Sequence, residues 1–141
     1  MTKLFLRIAA IVAIFQFAAH GTLLLKYRPT HGPAEVQLVA AMQANRFHFG
    51  GFAPHSYWEM YIGYGLFAAI NCLVEGVLFW LASNHAKESR GLVNGIIVLF
   101  ILANVTYGTL IARYFFTLPL IMDTIVAVCL TVALIANRKT A

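Results

Sequence analysis

Apolar residues along the chain form four long runs, separated by short polar segments and by one long connection. The runs lie at about 4–25, 55–82, 91–113 and 119–136. A helix needs roughly 20 apolar residues to cross the hydrocarbon core of a bilayer, and the runs have about this length. The pattern predicts an all-α fold, a four-transmembrane-helix antiparallel bundle in which short connections follow the second and third helices.

The long connection at 26–53 contains a helical pattern of its own. Pro33 stands where helices often begin, and a helix is expected at about 34–46. A short amphipathic helix of this kind would lie on the membrane surface or over the mouth of the bundle. Its apolar residues at helical spacing are Val36, Val39, Ala40 and Met42.

The first run also has features of a cleaved signal peptide. Lys3 and Arg7 precede an apolar core, and the small pair Ala18-Ala19 resembles a cleavage site. The apolar run continues past this pair to Leu25, so an uncleaved helix is the expected form.

Composition supports the membrane interpretation and narrows the partners. Of the 141 residues, 61% are hydrophobic and 11% are charged, which is typical of an integral membrane protein. The net charge of +5 comes from Lys and Arg beside the apolar runs, where such residues orient a protein more often than they bind nucleic acid. Membrane lipids are therefore expected partners, and nucleic acid is not. Cys72 and Cys129 lie inside predicted spans and are interpreted as packing residues.

Loop charges predict the orientation. With a cytoplasmic N-terminus, the inside segments carry six Lys and Arg residues and the outside segments carry four. This bias favours both termini on the cytoplasmic side of a bacterial cytoplasmic membrane.

The second span is unusual because it carries Glu59, Asn71 and Glu75. A charged side chain at the centre of a bilayer costs about 2.5–3.5 kcal/mol, so such residues usually have a partner or a function. One arc of about 80° is polar and aromatic, and it is predicted to face the interior of the bundle. That arc contains Tyr57, Tyr61, Tyr64, Ala68, Asn71 and Glu75.

Polar residues of the other spans are predicted to share a chamber in the outer half of the bundle. Gln16 and His20 lie on one face of the first span, because they are four residues apart. Asn71 and Glu75 are expected lower, towards the opposite side. The predicted chamber residues are Gln16, His20, Tyr61, Tyr64, Asn104, Tyr107 and Asp123.

These positions give two groups of candidate site residues. Carboxyl, imidazole and phenol groups in an apolar site can donate and accept protons, which makes them candidates for acid–base catalysis. The candidate catalytic residues are His20, Tyr64, Asp123 and Glu59. The candidate ligand-binding residues are Gln16, Trp58, Tyr61, Asn71, Glu75, Asn104 and Tyr107. No cofactor is predicted, and no metal, because the histidines form no HExxH pattern.

Structural roles are the alternative for several of these residues. Asp123 could pair with Arg113 across the 114–118 turn, and Asn104 could bind a neighbouring helix through its amide. Glu59 could reach the membrane interface beside Trp58, in an aromatic belt. Glu75 is expected to be protonated or paired with a residue such as Asn94.

Three stretches carry a resemblance to known proteins: AMQANRFHFGG, SYWEMYIGYGLFAAINCLVEGVL and LANVTYGTLIARYFFTLPLIMD. With them the chain resembles an uncharacterised family of small four-span bacterial integral membrane proteins. The resemblance covers nearly the whole chain and implies the four-span architecture. At the level of architecture alone, the chain is similar to sterol-isomerase and sigma-2-receptor-like proteins, which have acidic residues around an intramembrane pocket.

Two functions remain open at this stage. The first is binding of an apolar small molecule, such as a terpenoid, a sterol-like compound or a quinone, with acid–base isomerase or cyclase chemistry in the pocket. The alternative is a small oligomeric transporter or accessory subunit in which Glu75 and Asp123 line an ion or proton path. A homodimer or higher oligomer would pack through Gly91 and Gly95, whose spacing permits close approach of helices.

Overall fold

The computed structural model describes residues 1–48 and 50–139 of the chain. Phe49 of the predicted connection and residues 140–141 of the predicted domain 1–141 lie outside the described residues. Four helices are long and apolar enough to cross a membrane, so the protein is an all-α integral membrane protein, as the sequence predicts. The elements are α1 (Thr2–Leu25), α2 (Pro33–Ala44), β1 (Arg46–Phe47), β2 (His55–Ser56), α3 (Tyr57–His85), α4 (Arg90–Tyr114) and α5 (Thr117–Lys139).

The long connection holds the predicted short helix and an unpredicted hairpin. α2 begins at Pro33, whose missing N–H would have no partner in a first helical turn. β1 then pairs antiparallel with β2, with Phe47 opposite His55. Gly50 and Gly51 have φ values of 57° and 82° between the two strands, a conformation that glycine adopts most readily. Strands of two residues are too short to show an alternating pattern, so the sequence did not predict this hairpin.

The membrane helices run slightly further than their apolar runs. α3 ends at His85, because polar residues after position 82 remain helical and the Ser83 hydroxyl donates to the Trp80 carbonyl at 2.7 Å. α5 begins at Thr117 and tolerates Pro119 in its first turn, where a backbone N–H is not required. The two helices of the α4–α5 hairpin are therefore joined by a very short link.

Internal contacts divide the chain into two units, and each is described by itself. The first unit comprises 1–17 and the described residues 71–139. Its core takes side chains from all four long helices, and Phe79 packs edge-on against Phe100 at 5.1 Å between ring centroids. Gly76 allows α1 and α3 to approach closely, since a Cβ there would lie 3.1 Å from the Ala10 carbonyl oxygen. Fully buried members of this core include Leu6, Ala9, Val93, Ile97, Val126 and Leu130.

The second unit comprises 18–70. Within it, Gly65 lies against the Leu24 side chain, and Tyr27 and Trp58 pack with their ring centroids 5.2 Å apart. One side of α2 is half-buried, whereas Val36 and Leu38 on the rest of the helix are exposed. The half-buried residues of α2 are Glu35, Val39 and Met42.

The prediction that the polar and aromatic arc of α3 faces the protein interior was wrong for most of its members. Tyr57, Tyr61, Tyr64 and Asn71 are exposed, and Tyr64 has 71% of its surface accessible. The prediction treated tyrosine as a polar residue. A tyrosine ring is apolar enough to lie in the membrane or at its interface, so these tyrosines do not need to face the interior. Glu75, at the end of the same arc, is half-buried.

Candidate functional site

A groove of about 350 Å³ lies between α4 and α5 in the first unit. The α4 residues that line it recur at helical spacing of three and four, as do the α5 residues, so each helix presents one continuous stripe. Most of the lining is apolar. The lining includes Ile101, Asn104, Val105 and Gly108 from α4, and Asp123, Thr124, Ala127, Val128 and Thr131 from α5.

The threonines contribute little polarity to this groove. The Thr124 hydroxyl donates to the Leu120 carbonyl at 2.7 Å, and the Thr131 hydroxyl donates to the Ala127 carbonyl at 2.8 Å. Serine and threonine commonly satisfy their hydroxyl donors in this way inside helices. The polar character of the groove therefore comes mainly from Asn104 and Asp123.

Asp123 is the most unusual residue of the groove. It is only 8% exposed, and its carboxyl forms no hydrogen bond or ion pair with any residue that the structure describes. The alternative ion pair with Arg113 does not form, because the exposed Arg113 guanidinium lies over the Tyr114 ring at 5.6 Å. The Asp123 carboxyl lies beside Gly108, one of the positions on α4 that carry no side chain.

Glu75 of α3 lies close to this carboxyl. Its own carboxyl interacts electrostatically with Asp123 and is within reach of the Asn104 side chain. Asn104 is 2% exposed, and its amide Nδ2 also donates to the Phe100 carbonyl at 2.8 Å. We name Glu75 and Asp123 the carboxyl pair.

This arrangement corrects the predicted depths. Glu75 was expected well below Asn104 and Asp123, paired with a residue such as Asn94, but Asn94 instead accepts a hydrogen bond from Asn137 at 2.8 Å. Helical side chains lean towards the N-terminus of their helix, and α3 and α4 run in opposite directions. The Glu75 and Asn104 side chains therefore lean towards each other. A depth predicted from the position of the Cα atom along each helix leaves out this lean.

The other predicted site residues do not join this cluster within the first unit. Gln16 is half-buried there, whereas Asn71 and Tyr107 are exposed. The remaining candidates belong to the second unit, where His20 is half-buried and Trp58 stacks on Tyr61 at 5.5 Å. Of the predicted residues, the structure thus brings Glu75, Asn104 and Asp123 together.

Glu59, a predicted catalytic residue, has a structural role at the start of α3. Its carboxylate accepts the Ser56 backbone N–H at 2.7 Å, while the Ser56 hydroxyl accepts the Glu59 backbone N–H at 3.1 Å. These reciprocal bonds form a capping box. His55 and Arg46 lie 3.5 and 4.0 Å from the same carboxylate. The signal for this role was the Ser-x-x-Glu spacing directly before the apolar run.

A polar cluster in the second unit was not predicted. The Glu35 carboxylate accepts a hydrogen bond from the Tyr27 hydroxyl. It also accepts hydrogen bonds from the backbone N–H groups of Thr30 and His31, both at 2.6 Å. We call these four residues the loop clasp. The Tyr27 and His31 hydrogen bonds lower the pKa of Glu35 to about 2, and the bond to Glu35 raises the pKa of Tyr27 to about 12. The available signal was an acidic residue in the first turn of α2.

Metal ligation has no candidate in the part of the chain that the structure describes. No group of three or more His, Cys, Asp or Glu side chains lies close enough to hold a metal ion among residues 1–48 and 50–139. No protein-family model, curated protein or solved structure matches the chain. The function is therefore inferred from the groove and from the residues around it.

Proposed function

We propose that this protein binds an apolar small molecule, such as a terpenoid, a sterol-like compound or a quinone, in the groove between α4 and α5. One observation carries the proposal. The Asp123 carboxyl lies in the wall of an otherwise apolar groove, is 8% exposed, and has no hydrogen-bond or ion-pair partner among the described residues.

Physical chemistry supports this assignment. Asp123 is a buried residue whose carboxyl opens onto the groove, and a polar group that faces apolar surroundings without a hydrogen-bond partner costs on the order of 1–3 kcal/mol. A ligand that donates a hydrogen bond to Asp123 would remove this cost. The groove volume of about 350 Å³ falls in the range of small-molecule pockets, which combine apolar walls with a few placed polar groups.

The same carboxyl suits proton transfer. Asp123 touches the groove directly, and its carboxyl interacts electrostatically with Glu75. Isomerase or cyclase chemistry on the bound molecule would therefore use Asp123 as the proton donor or acceptor, with Glu75 as a positioning residue. Participation of His20 and Tyr64 in such chemistry stays a prediction.

Native mass spectrometry of the detergent-purified protein tests the binding. Wild-type protein is expected to retain a discrete apolar molecule, and Ala127→Phe should lose it by filling the groove wall. Ala112→Phe is the matched control, because Ala112 is exposed on α4 and does not line the groove. Equal retention by both variants would contradict binding in the groove.

A second function is favoured by the position of Glu75. Two carboxyls from different membrane helices lie close together, as in a site for a proton or cation in transit. A small oligomeric transporter would use this pair and could pack through Gly91 and Gly95, where an added Cβ would meet nothing within 4 Å. Glu75→Gln should then abolish cation or proton flux in liposomes, whereas an inactive wild type would refute this function.

We further propose a bacterial cytoplasmic membrane and cytoplasmic termini. Arg7 of α1 donates to Asn84 near the end of α3 at 3.4 Å, so these two helix ends lie on one side of the first unit. Basic residues concentrate at such ends, which the positive-inside rule places in the cytoplasm. An impermeant maleimide should label Glu88→Cys only after cell lysis, in a background without the native cysteines.

A further inference from the structure

We propose that the molecule bound in the groove is a lipophilic amine, with its protonated nitrogen on Asp123 and its apolar part along α5. This inference rests on the proposed function and names the class of ligand. It comes from the charges around the groove, from the hydrogen-bonding capacity that the protein leaves open there, and from the shape of the space beside Asp123.

The charges around the groove are acidic. Asp123 and Glu75 are both acidic and lie close together. Within residues 1–48 and 50–139, the ion pairs involve other carboxylates, and no Lys, Arg or His side chain lies within 4.0 Å of either member of the carboxyl pair. The local charge of this part of the first unit is therefore negative or neutral, never positive.

Two nearby carboxyls in an apolar region must be protonated or must share a cation. The Asn104 amide lies within reach of Glu75 but carries no charge. A cationic ligand would compensate the pair, and the Asp123 carboxyl is the member that it can reach, because Asp123 lines the groove and Glu75 does not. A bound cation would thus replace the protonation that the pair otherwise needs.

The open hydrogen-bonding capacity fits an ammonium group. A carboxylate only accepts hydrogen bonds, and an ammonium group only donates them. The threonine hydroxyl protons in the groove are already bonded to backbone carbonyls, so they do not compete for Asp123. A hydrogen bond between charged partners is also about twice as strong as one between neutral groups.

The shape of the groove suits a ligand that has a charged head at one end and an apolar tail at the other. Asp123 is the first lining residue of α5, and lining continues to Val132, a distance of about 13 Å along the helix. Gly108 opposite Asp123 carries no side chain that would cover the carboxyl, and a Cβ there would already lie 3.2 Å from its Oδ2 atom, so a head group has to reach the carboxyl from the groove. Ala127 and Val128 then provide an apolar wall for a chain or ring system.

An inorganic cation is the competing occupant, and the lining disfavours it. Such ions take about six oxygen ligands, whereas this groove offers one carboxyl, one amide and two threonine hydroxyls among apolar groups. A lipophilic amine needs fewer polar contacts and uses the apolar wall. The groove therefore matches an organic cation better than a bare ion.

The test compares a long-chain primary alkylamine with the alcohol of the same chain length. Binding of each to the full-length protein in nanodiscs is measured by native mass spectrometry, with empty nanodiscs to correct for partitioning. Wild type is expected to bind the amine about tenfold more tightly. Asp123→Asn should remove the preference and Glu75→Gln should reduce it. Thr106→Val is the control and should keep the preference, because the Thr106 hydroxyl donates to the Leu102 carbonyl at 2.9 Å and the residue does not line the groove.

Each of the other outcomes refutes a specific part of the proposal. Equal affinity of the amine and the alcohol in wild type, both lost in Ala127→Phe, would refute the amine and leave the proposed function standing. Binding of both probes that Ala127→Phe does not change would refute the groove, and with it the proposed function. A rise in melting temperature with NaCl alone that Asp123→Asn abolishes would assign the site to an inorganic cation. The wild-type comparison needs no variant, so misfolding of Asp123→Asn would not prevent the test.

Discussion

A Cβ atom on Gly108 of α4 would lie 3.2 Å from the Oδ2 atom of Asp123 on α5. This separation is shorter than an ordinary van der Waals contact, so a methyl group at position 108 would crowd the carboxyl. The carboxyl is otherwise enclosed, with 8% of the residue exposed. Gly108 therefore controls the space available at the polar end of the groove.

Gly108→Ala is expected to weaken retention of the bound molecule, because the new methyl group crowds the Asp123 carboxyl. Gly95→Ala is the control on the same helix, since its Cβ would meet nothing within 4 Å. Alanine is favoured over glycine in helix interiors by about 0.8–1.0 kcal/mol, so Gly95→Ala should raise the free energy of unfolding. Unfolding in mixed micelles and native mass spectrometry of both variants check this, and equal retention by the two would contradict it.

The loop clasp should respond to pH in two separate windows. The Glu35 pKa lies at about 2, below its ordinary 4.5, so the clasp is fully favoured above pH 4.5 and weakens as the pH falls towards 2. The Tyr27 pKa lies at about 12, above its ordinary 10.0, so the clasp is favoured below pH 10 and weakens as the pH rises through 12.

Fluorescence of Trp58 reports this opening, because the Tyr27 ring packs 5.2 Å from it. In a Trp80→Phe background Trp58 is the one remaining tryptophan. Glu35→Gln should shift the emission at neutral pH, remove the acidic transition, and move the alkaline transition from about 12 towards the ordinary tyrosine pKa of 10.0. Glu88→Gln is the control, because its carboxylate is exposed and contacts His85 instead. Identical titrations for the two variants would count against the clasp.

The sequence predicted the architecture well because apolar runs of membrane length have few alternative structures. α1, α3, α4 and α5 lie where the four runs do, and α2 follows Pro33. Backbone polar groups must be satisfied inside a membrane, which leaves a helix as the main solution for each run. Only the ends differ, as at His85, where polar residues continue the helix.

The site was predicted less well because it depends on side-chain direction. Asn104 and Asp123 were expected together, but Glu75 was placed elsewhere, since counting along helices ignores the lean of side chains. Glu59 was predicted to be a catalytic residue, although the Ser-x-x-Glu spacing before the apolar run is typical of a helix cap, which the structure shows. The loop clasp depends on a contact between Tyr27 and Glu35 across an irregular segment, which periodicity cannot reveal.

Loss of the capping box should affect stability and leave ligand retention unchanged. Ser56→Ala removes the side-chain acceptor for the Glu59 backbone N–H, and such changes cost about 0.5–2 kcal/mol. Glu59→Gln should be nearly neutral, because glutamine also fits the last position of a capping box. Hydrogen exchange of the first amides of α3 would show faster opening in Ser56→Ala alone. Loss of the bound molecule in Glu59→Gln would instead support a role for Glu59 in the binding site.

Gly76→Ala should destabilise the first unit. A Cβ at this position would lie 3.1 Å from the Ala10 carbonyl oxygen and 2.7 Å from Ile14 Cγ1, so α1 and α3 would have to separate. Crowding of a packed core costs about 1–3 kcal/mol, which exceeds the gain in helix propensity.

Two other glycines of α3 make this prediction specific. Gly63→Ala meets open space and should raise the free energy of unfolding by about 0.8–1.0 kcal/mol. Gly65→Ala meets the Leu24 side chain, with the nearest atom at 2.5 Å, and a leucine side chain can rotate away whereas the Ala10 backbone cannot. Unfolding in mixed micelles should therefore rank Gly76→Ala as the least stable variant, Gly65→Ala as intermediate and Gly63→Ala as the most stable. The reverse order would mean that the close approach at Gly76 does not stabilise the packing of α1 on α3.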